Sequence, residues 1–151
     1  MENCYQVLLQ YALRLIARKR YTERELNKKL VAKKVGDIND IASVIARLKE
    51  LKYVDDGSFA TDYISTRTKI SPRGKQMLKM ELRMKGVSHS FIADAIEKAN
   101  IDEESLAKKV ITKYEKRYVG LEKHKKKEKI MRLLISKGFK PDTIYKILDK
   151  C

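Results

Sequence analysis

Three short stretches decide the fold of this chain: LVAKKV at residues 30–35, LRMKGV at residues 82–87 and LISKGF at residues 134–139. Each stretch begins with leucine and has lysine at its fourth position, and successive copies lie 52 residues apart. After a gap of one residue, Ile41, Ile92 and Ile144 also come into line. A fixed step of this length indicates one supersecondary unit written three times.

Within each copy the apolar residues recur with a helical period. The first copy shows the i, i+3, i+4 spacing of a helix with one buried stripe at Val7, Leu8, Tyr11, Ala12 and Leu15. Thr22 and Glu25 have the spacing of a capping box at the start of a second helix, and Asp37 is placed to cap a third helix. The first copy therefore predicts three helices.

The second and third copies repeat this order with other helix signals. Pro72 and Pro141 are predicted at first helical positions, where the missing amide costs nothing. Gly86 and Gly138 follow helices as C-terminal stops. We therefore predict an all-α fold of about nine helices in three tandem three-helix repeats, at residues 1–54, 55–101 and 102–151.

Units of roughly 50 residues are marginal alone, so we expect the repeats to stack and share apolar surface. No Gly-rich or Ser-rich linker separates them, and short acidic joints such as Asp55-Asp56 connect one repeat to the next. The expected shape is an elongated, curved array. The apolar stretch from Tyr5 to Ala17 is too short and too interrupted for a membrane span or a secretory signal.

The charge balance points to a polyanionic partner. The chain has 35 Lys and Arg against 20 Asp and Glu, a net charge of +15. A field of this sign attracts nucleic acid, although basic proteins of other classes share it. Basic residues exceed acidic ones by 6 in the first predicted repeat, by 2 in the second and by 7 in the third, so the excess lies at both ends.

The densest basic run is the first candidate contact with phosphates, and it comprises Lys123, Lys125, Lys126 and Lys127. The alternative is a solvated helix face relieved by Glu122 and Glu128. A second candidate surrounds the entry to the middle repeat's second helix: Arg67, Lys69, Arg73, Lys75 and Arg83. That helix N-terminus could bind a phosphate or a partner's carboxylate, and ordinary surface charge is the alternative. A third run, residues 18–20, fits a helix C-terminus.

We expect no catalytic residue, cofactor or metal ligand. The two cysteines, Cys4 and Cys151, and the two histidines have no metal-ligand or disulfide spacing. The acidic pairs at residues 55–56 and 103–104 fit helix capping better than a Mg²⁺ site. Most aromatic residues fall on apolar stripes, which favours core packing over base stacking: Tyr11, Phe59, Tyr63, Phe91, Tyr114 and Phe139.

Taken in order, several motifs resemble those of the RecX regulatory proteins. The first repeat matches at Ala12-Leu13, Leu15, Arg18, Tyr21-Thr22, Glu25-Leu26 and Leu30. The second matches at residues 53–56, 59–60, 63–64, 67, 74, 78, 81–82 and 85–87, and the third at Ala107, residues 113–114, 133–134, 137–139 and Ile144. Lys34 and Lys52 depart from the pattern, because the family often has glycine at these two turn positions.

The resemblance implies a monomeric, cytoplasmic bacterial protein that acts in DNA repair, recombination and the SOS response. Its implied partners are the filament of the RecA recombinase and single-stranded or double-stranded DNA. By that analogy the protein lodges in the filament groove and restrains filament growth, strand exchange and ATP hydrolysis. Two alternatives stay open: an autonomous DNA- or RNA-binding protein with helix-turn-helix-like units, and a metal-dependent nuclease that uses Asp55 and Asp56.

Overall fold

The structure is a computed structural model that describes residues 3–149. Over these residues it has nine α-helices, one 3₁₀ helix and no strand. The α-helices are α1 (Cys4–Arg18), α2 (Glu23–Ala32), α3 (Ile38–Glu50), α4 (Asp56–Ile70), α5 (Lys75–Met84), α6 (His89–Ala99), α7 (Glu103–Tyr114), α8 (Lys123–Ser136) and α9 (Pro141–Asp149). The 3₁₀ helix, Glu115–Tyr118, was not predicted. The all-α fold with about nine helices is confirmed. None of the described helices is long and apolar enough to cross a membrane.

The described chain forms two compact units. The first contains Leu82–Ile92 and the chain up to Ala60, and the second contains Thr61–Glu81 and the chain from Ala93 onward. The unit boundaries fall inside α4, α5 and α6. The three repeat boundaries expected from the sequence stay a prediction.

Each unit has its own apolar core. In the first unit, α1, α2 and α3 enclose Leu8, Ala12, Leu26, Leu30, Ile41, Val44, Ile45, Leu48 and Val54. In the second, α7, α8 and α9 enclose Leu106, Ala107, Val110, Ile130, Leu134, Phe139, Ile144, Ile147 and Leu148. These residues follow the helical period of the sequence, because only one face of each helix turns away from water. The hydrophobic effect of this burial is the main force that holds each three-helix group together.

The repeated stretches take the same conformation in all three copies. Their leucines, Leu30, Leu82 and Leu134, are completely buried. Four residues later the backbone turns into the left-handed region, with φ of 57° at Lys34, 92° at Gly86 and 83° at Gly138. Glycine enters this region without steric cost, whereas a side chain at Lys34 is strained there. The turn therefore keeps its geometry even where the first copy lacks glycine.

The predicted helix caps of the first repeat are present. The Thr22 hydroxyl accepts from the Glu25 N–H at 3.2 Å, and the Glu25 carboxylate accepts from the Thr22 N–H at 3.1 Å. Asp37 and Asp40 make the same reciprocal pair at the start of α3, with both distances 2.9 Å. These bonds satisfy amide donors that a helix start leaves without partners.

One predicted helix start was wrong. Pro72 was expected at the first position of the second helix in the middle repeat, but α5 begins at Lys75. The first helical hydrogen bond runs from the Leu78 N–H to the Gly74 carbonyl, so Gly74 is the cap residue. Only glycine fits at this position, because a Cβ on residue 74 would lie 2.2 Å from the Gly138 carbonyl oxygen. Long-range packing therefore fixes the start of α5 more strongly than the local proline signal.

A pair of equivalent contacts joins the second helix of one repeat to the second helix of the next. The Thr22 hydroxyl donates to the Lys85 carbonyl at 2.6 Å within the first unit. The Gly74 N–H donates to the Lys137 carbonyl at 2.7 Å within the second unit. Thr22 and Gly74 are 52 residues apart, as are Lys85 and Lys137. We call these two hydrogen bonds the joint contacts.

An acidic residue reinforces each joint contact. The Asp56 carboxylate accepts from the Glu23 N–H at 2.9 Å, and the Glu103 carboxylate accepts from the Lys75 N–H at 3.1 Å. Glu23 and Lys75 are the first residues of α2 and α5, so both carboxylates lie at positive helix ends. The acidic joints of the sequence thus cap helices of the preceding repeat as well as beginning their own.

Candidate partner-binding surfaces

The predicted lysine run lies at the start of α8, which begins at Lys123. Lys123 and Lys125 are exposed, and Lys126 and Lys127 are half-buried. The helix start has no side-chain cap and no acidic residue in its first turn. Among the described residues no ion pair holds any of the four lysines.

One of the two carboxylates expected to relieve the run, Glu128, has another partner, and the other, Glu122, is the N-cap residue of α8. Glu128 accepts from the Arg132 guanidinium at 2.8 Å, one turn further along α8. A solvated face neutralised by Glu128 is therefore a weaker interpretation than the sequence allowed. The four lysines thus lie at the N-terminus of α8, where the helix dipole is positive as well.

The second predicted group is divided by the structure. Arg73 is largely buried and forms an ion pair with Glu81, while its other nitrogens donate to the carbonyl and hydroxyl of Ser71. Tyr63 also donates to Glu81, and the Arg67 guanidinium lies 5.2 Å from the Tyr63 ring centre. Burial and the bond to Glu81 raise the pKa of Tyr63. Arg73 and Arg67 therefore belong to an internal network.

The remaining members of that group, Lys69, Lys75 and Arg83, differ in their exposure and in their contacts. Lys69, in the last turn of α4, and Arg83, in the last turn of α5, are exposed. Lys75 starts α5, and the Glu103 carboxylate already occupies that helix N-terminus while also accepting from Thr143 at 3.2 Å. The chain thus supplies a carboxylate of its own to this helix end, and binding of a phosphate or of a partner's carboxylate there stays a prediction.

The third run, Arg18-Lys19-Arg20, ends α1 and is exposed. Lys19 lies 4.7 Å from the ring centre of Tyr21, and Arg20 donates to the Ser58 hydroxyl at 3.0 Å. Two of the three cations thus make contacts within the chain. This run fits the structural role of a helix C-terminus.

Three of the four residues in the acidic pairs, Asp55, Asp56 and Glu103, act as helix caps. Asp55 accepts from the Ser58 N–H at 3.1 Å, and Asp56 and Glu103 make the joint caps described above. Burial raises the pKa of Asp56, and the Glu23 amide partly counters this effect. In the part of the chain that the structure describes, no three His, Cys, Asp or Glu side chains come together as a metal site.

The sequence missed a cluster of cations around one tyrosine. Tyr114, at the end of α7, has Arg117 at 4.7 Å, Lys137 at 5.4 Å and Lys113 at 5.8 Å from its ring centre. Hydrogen bonding to Lys137 and then the charge of that lysine lower the pKa of Tyr114. A usable signal was the i, i+3 spacing of Tyr114 and Arg117. The expected core placement of Phe91 was also wrong, since its side chain is 44% exposed.

Comparisons with known proteins agree on one family. The model of the second RecX three-helix domain matches residues 55–96, and that of the third matches residues 102–148. The regulatory protein RecX of Leuconostoc mesenteroides is 33% identical over 144 residues, which cover 94% of this chain and 53% of that protein. The regulatory protein RecX of Actinobacillus pleuropneumoniae serotype 5b is 31% identical over 143 residues, 93% of this chain and 90% of that protein. The chain thus spans about half the length of the Leuconostoc relative.

Solved structures show the same fold. The crystal structure of RecX from Lactobacillus salivarius superposes with a TM-score of 0.82 at 26% identity, covering 97% of this chain and 96% of the other. A second crystal structure, of a regulatory protein RecX, gives a TM-score of 0.83 at 24% identity and shows the fold alone. The matched domains, the coverage of the Actinobacillus relative and the three repeated turns lead to one conclusion: the chain belongs to the RecX family of regulatory proteins.

Proposed function

We propose that this protein binds the RecA filament on DNA and restrains the recombinase and ATPase activity of RecA. It acts in the bacterial cytoplasm as a monomer, by occupying a surface of the filament and without catalysing a reaction. RecA as the partner comes from the family. The observation that carries the proposal for this chain is the lysine run at the start of α8, whose four cations have no ion-pair partner in the described residues.

The electrostatics of the run suit a nucleoprotein partner. A net charge of +15 speeds encounter with a polyanion, and each lysine that contacts a phosphate releases a condensed counterion. Lys69 and Arg83 are exposed and remain further candidate contacts. Arg73 is not a good candidate, because its guanidinium already has three contacts inside the chain.

The decisive experiment titrates the protein into RecA assembled on single-stranded DNA while ATP turnover is followed. We expect turnover to fall at protein concentrations well below that of RecA, and to recover as salt is raised. Unchanged ATPase and strand exchange at every salt concentration would contradict the proposal. Binding to naked duplex with sequence preference, unimproved by RecA, would favour the autonomous DNA-binding alternative.

A charge variant tests the lysine run itself. Changing Lys123, Lys125, Lys126 and Lys127 to glutamine should weaken filament binding and flatten its dependence on salt, by roughly 0.7–0.9 in logarithmic slope for each phosphate that the variant no longer neutralises. The matched control changes four exposed lysines of the first unit, Lys28, Lys29, Lys34 and Lys52. Equal slopes for the two variants would show that the run is only a hydrated surface.

A further inference from the structure

The cluster around Tyr114 brings three cations to one aromatic ring. Lys113 comes from α7, Arg117 from the 3₁₀ helix, and Lys137 follows the end of α8, and all three lie within 5.8 Å of the ring centre. Among the described residues, no carboxylate forms an ion pair with any of them. Within residues 3–149, the three positive charges of the cluster therefore have no carboxylate at ion-pair distance.

The ring alone is a weak counterpart for this charge. A cation over an exposed aromatic face gains about 0.5–1 kcal/mol. Two like charges a few ångströms apart repel by about 1 kcal/mol even with the dielectric constant of water. Three like charges around one ring also repel one another, and this repulsion offsets part of the attraction between each cation and the ring. A bound anion would attract all three cations and would thereby stabilise the cluster around Tyr114.

The middle repeat shows how a similar group is neutralised. There Arg67 lies over Tyr63, and the Glu81 carboxylate bonds both Tyr63 and Arg73. The residue 52 positions after Glu81 is Leu133, one helical turn before Lys137. The third repeat thus has an apolar side chain, Leu133, where the second has the carboxylate of Glu81.

We propose that Lys113, Arg117 and Lys137 bind a backbone phosphate of a single-stranded nucleic acid. The Tyr114 ring and the Arg117 guanidinium, 4.7 Å from its centre, are the side-chain types on which unpaired bases stack, so the cluster suits a single strand better than it suits an acidic peptide. The proposal deepens the proposed function, because it assigns a nucleic-acid contact to the same protein. Its test contains no RecA, so it can fail while filament binding stands.

The experiment measures fluorescence anisotropy of a labelled oligothymidylate with the full chain across a range of salt concentrations. Changing Lys113, Arg117 and Lys137 to glutamine should weaken binding about tenfold at low salt and lower the logarithmic salt slope by roughly 0.7, as expected when one phosphate is no longer neutralised. The control variant changes Arg14, Lys28 and Lys29, which are exposed residues of the first unit, and removes the same charge. We expect its effect to be less than threefold.

A second pair of variants separates the site from net charge and from folding. Leu133→Glu places a carboxylate i, i+4 from Lys137, in the orientation that favours an ion pair on a helix. It should weaken oligothymidylate binding severalfold relative to Leu133→Gln, which removes the same half-buried side chain without adding charge. Thermal melts of both variants check that the fold is kept.

Three results would overturn the assignment. Equal losses of affinity for the two triple variants would mean that only overall charge matters. Binding that is the same for Leu133→Glu and Leu133→Gln would mean that this surface does not contact the strand. Oligothymidylate binding by the Lys113, Arg117 and Lys137 variant that equals binding by the parent would mean that the cluster does not contact the strand.

Discussion

Replacement of Thr22 by valine tests the first joint contact. Thr22 is completely buried, and its hydroxyl both accepts from the Glu25 N–H and donates to the Lys85 carbonyl. Loss of a threonine cap costs about 1 kcal/mol. Loss of the donor to a carbonyl in this partly buried site costs a further ~1–3 kcal/mol. Valine keeps the shape of the side chain and accepts the extended backbone of the cap, so we expect a total loss of about 2–4 kcal/mol.

The matched variant is Thr22→Ser, which keeps both hydrogen bonds and removes one buried methyl group, at a cost of about 1 kcal/mol. Urea unfolding followed by far-UV circular dichroism measures both. With a denaturant dependence of about 2 kcal/mol per molar, the valine variant should unfold at ~1–2 M less urea than the parent, and the serine variant at ~0.5 M less. If serine were as damaging as valine, packing of the methyl group and not the hydroxyl would hold this joint, and the reasoning would be refuted.

Three further predictions concern stability. Lys34→Gly should raise the free energy of unfolding by about 1 kcal/mol, because φ at Lys34 is 57° and glycine enters this region without strain. Lys33→Gly, at a helical φ of −68°, should lower the free energy of unfolding by up to ~1 kcal/mol. Similar shifts in melting temperature for the two variants would contradict this prediction. Glu103→Ala should lower the free energy of unfolding, measured in urea, by about 1–2 kcal/mol, and Glu103→Gln should lower it by less. An alanine variant as stable as the parent would show that the Glu103 cap has no energetic role. Burial and the bond to Glu81 raise the pKa of Tyr63, so the contribution of this group to folding stability is present below the unfolded pKa of about 10 and is lost as pH rises through the folded pKa. The melting temperature of Tyr63→Phe should therefore fall less between neutral and alkaline pH than that of the parent. Equal falls in melting temperature would contradict this prediction.

The parts of the fold that could be predicted are those that depend on residues close together in the sequence. The helical period placed Leu30, Leu82 and Leu134 in buried positions, and all three are completely buried. The capping box at Thr22 has a fixed three-residue spacing and is present with both bonds. Such signals depend on residues one turn apart, so a single sequence is enough to read them.

The parts that were missed depend on residues far apart in the chain. Glu103 caps a helix that starts 28 residues earlier, and Gly74 marks the start of α5 because of its contact with Gly138. The Tyr114 cluster likewise needs Lys137, 23 residues later, and no local pattern brings the two together. The lysine run at α8 could be named from composition, but whether it contacts DNA stays a prediction.

The joint contacts have a consequence for how this chain tolerates change. At Gly74 both partners are main-chain atoms, and at Thr22 the acceptor is the main-chain carbonyl of Lys85. Every amino acid has the main-chain carbonyl, and every one except proline has the N–H, so these contacts depend little on the side chains of Lys85 and Lys137. We therefore expect this chain to tolerate substitutions at the few joint residues poorly, and substitutions on its exposed helix faces well.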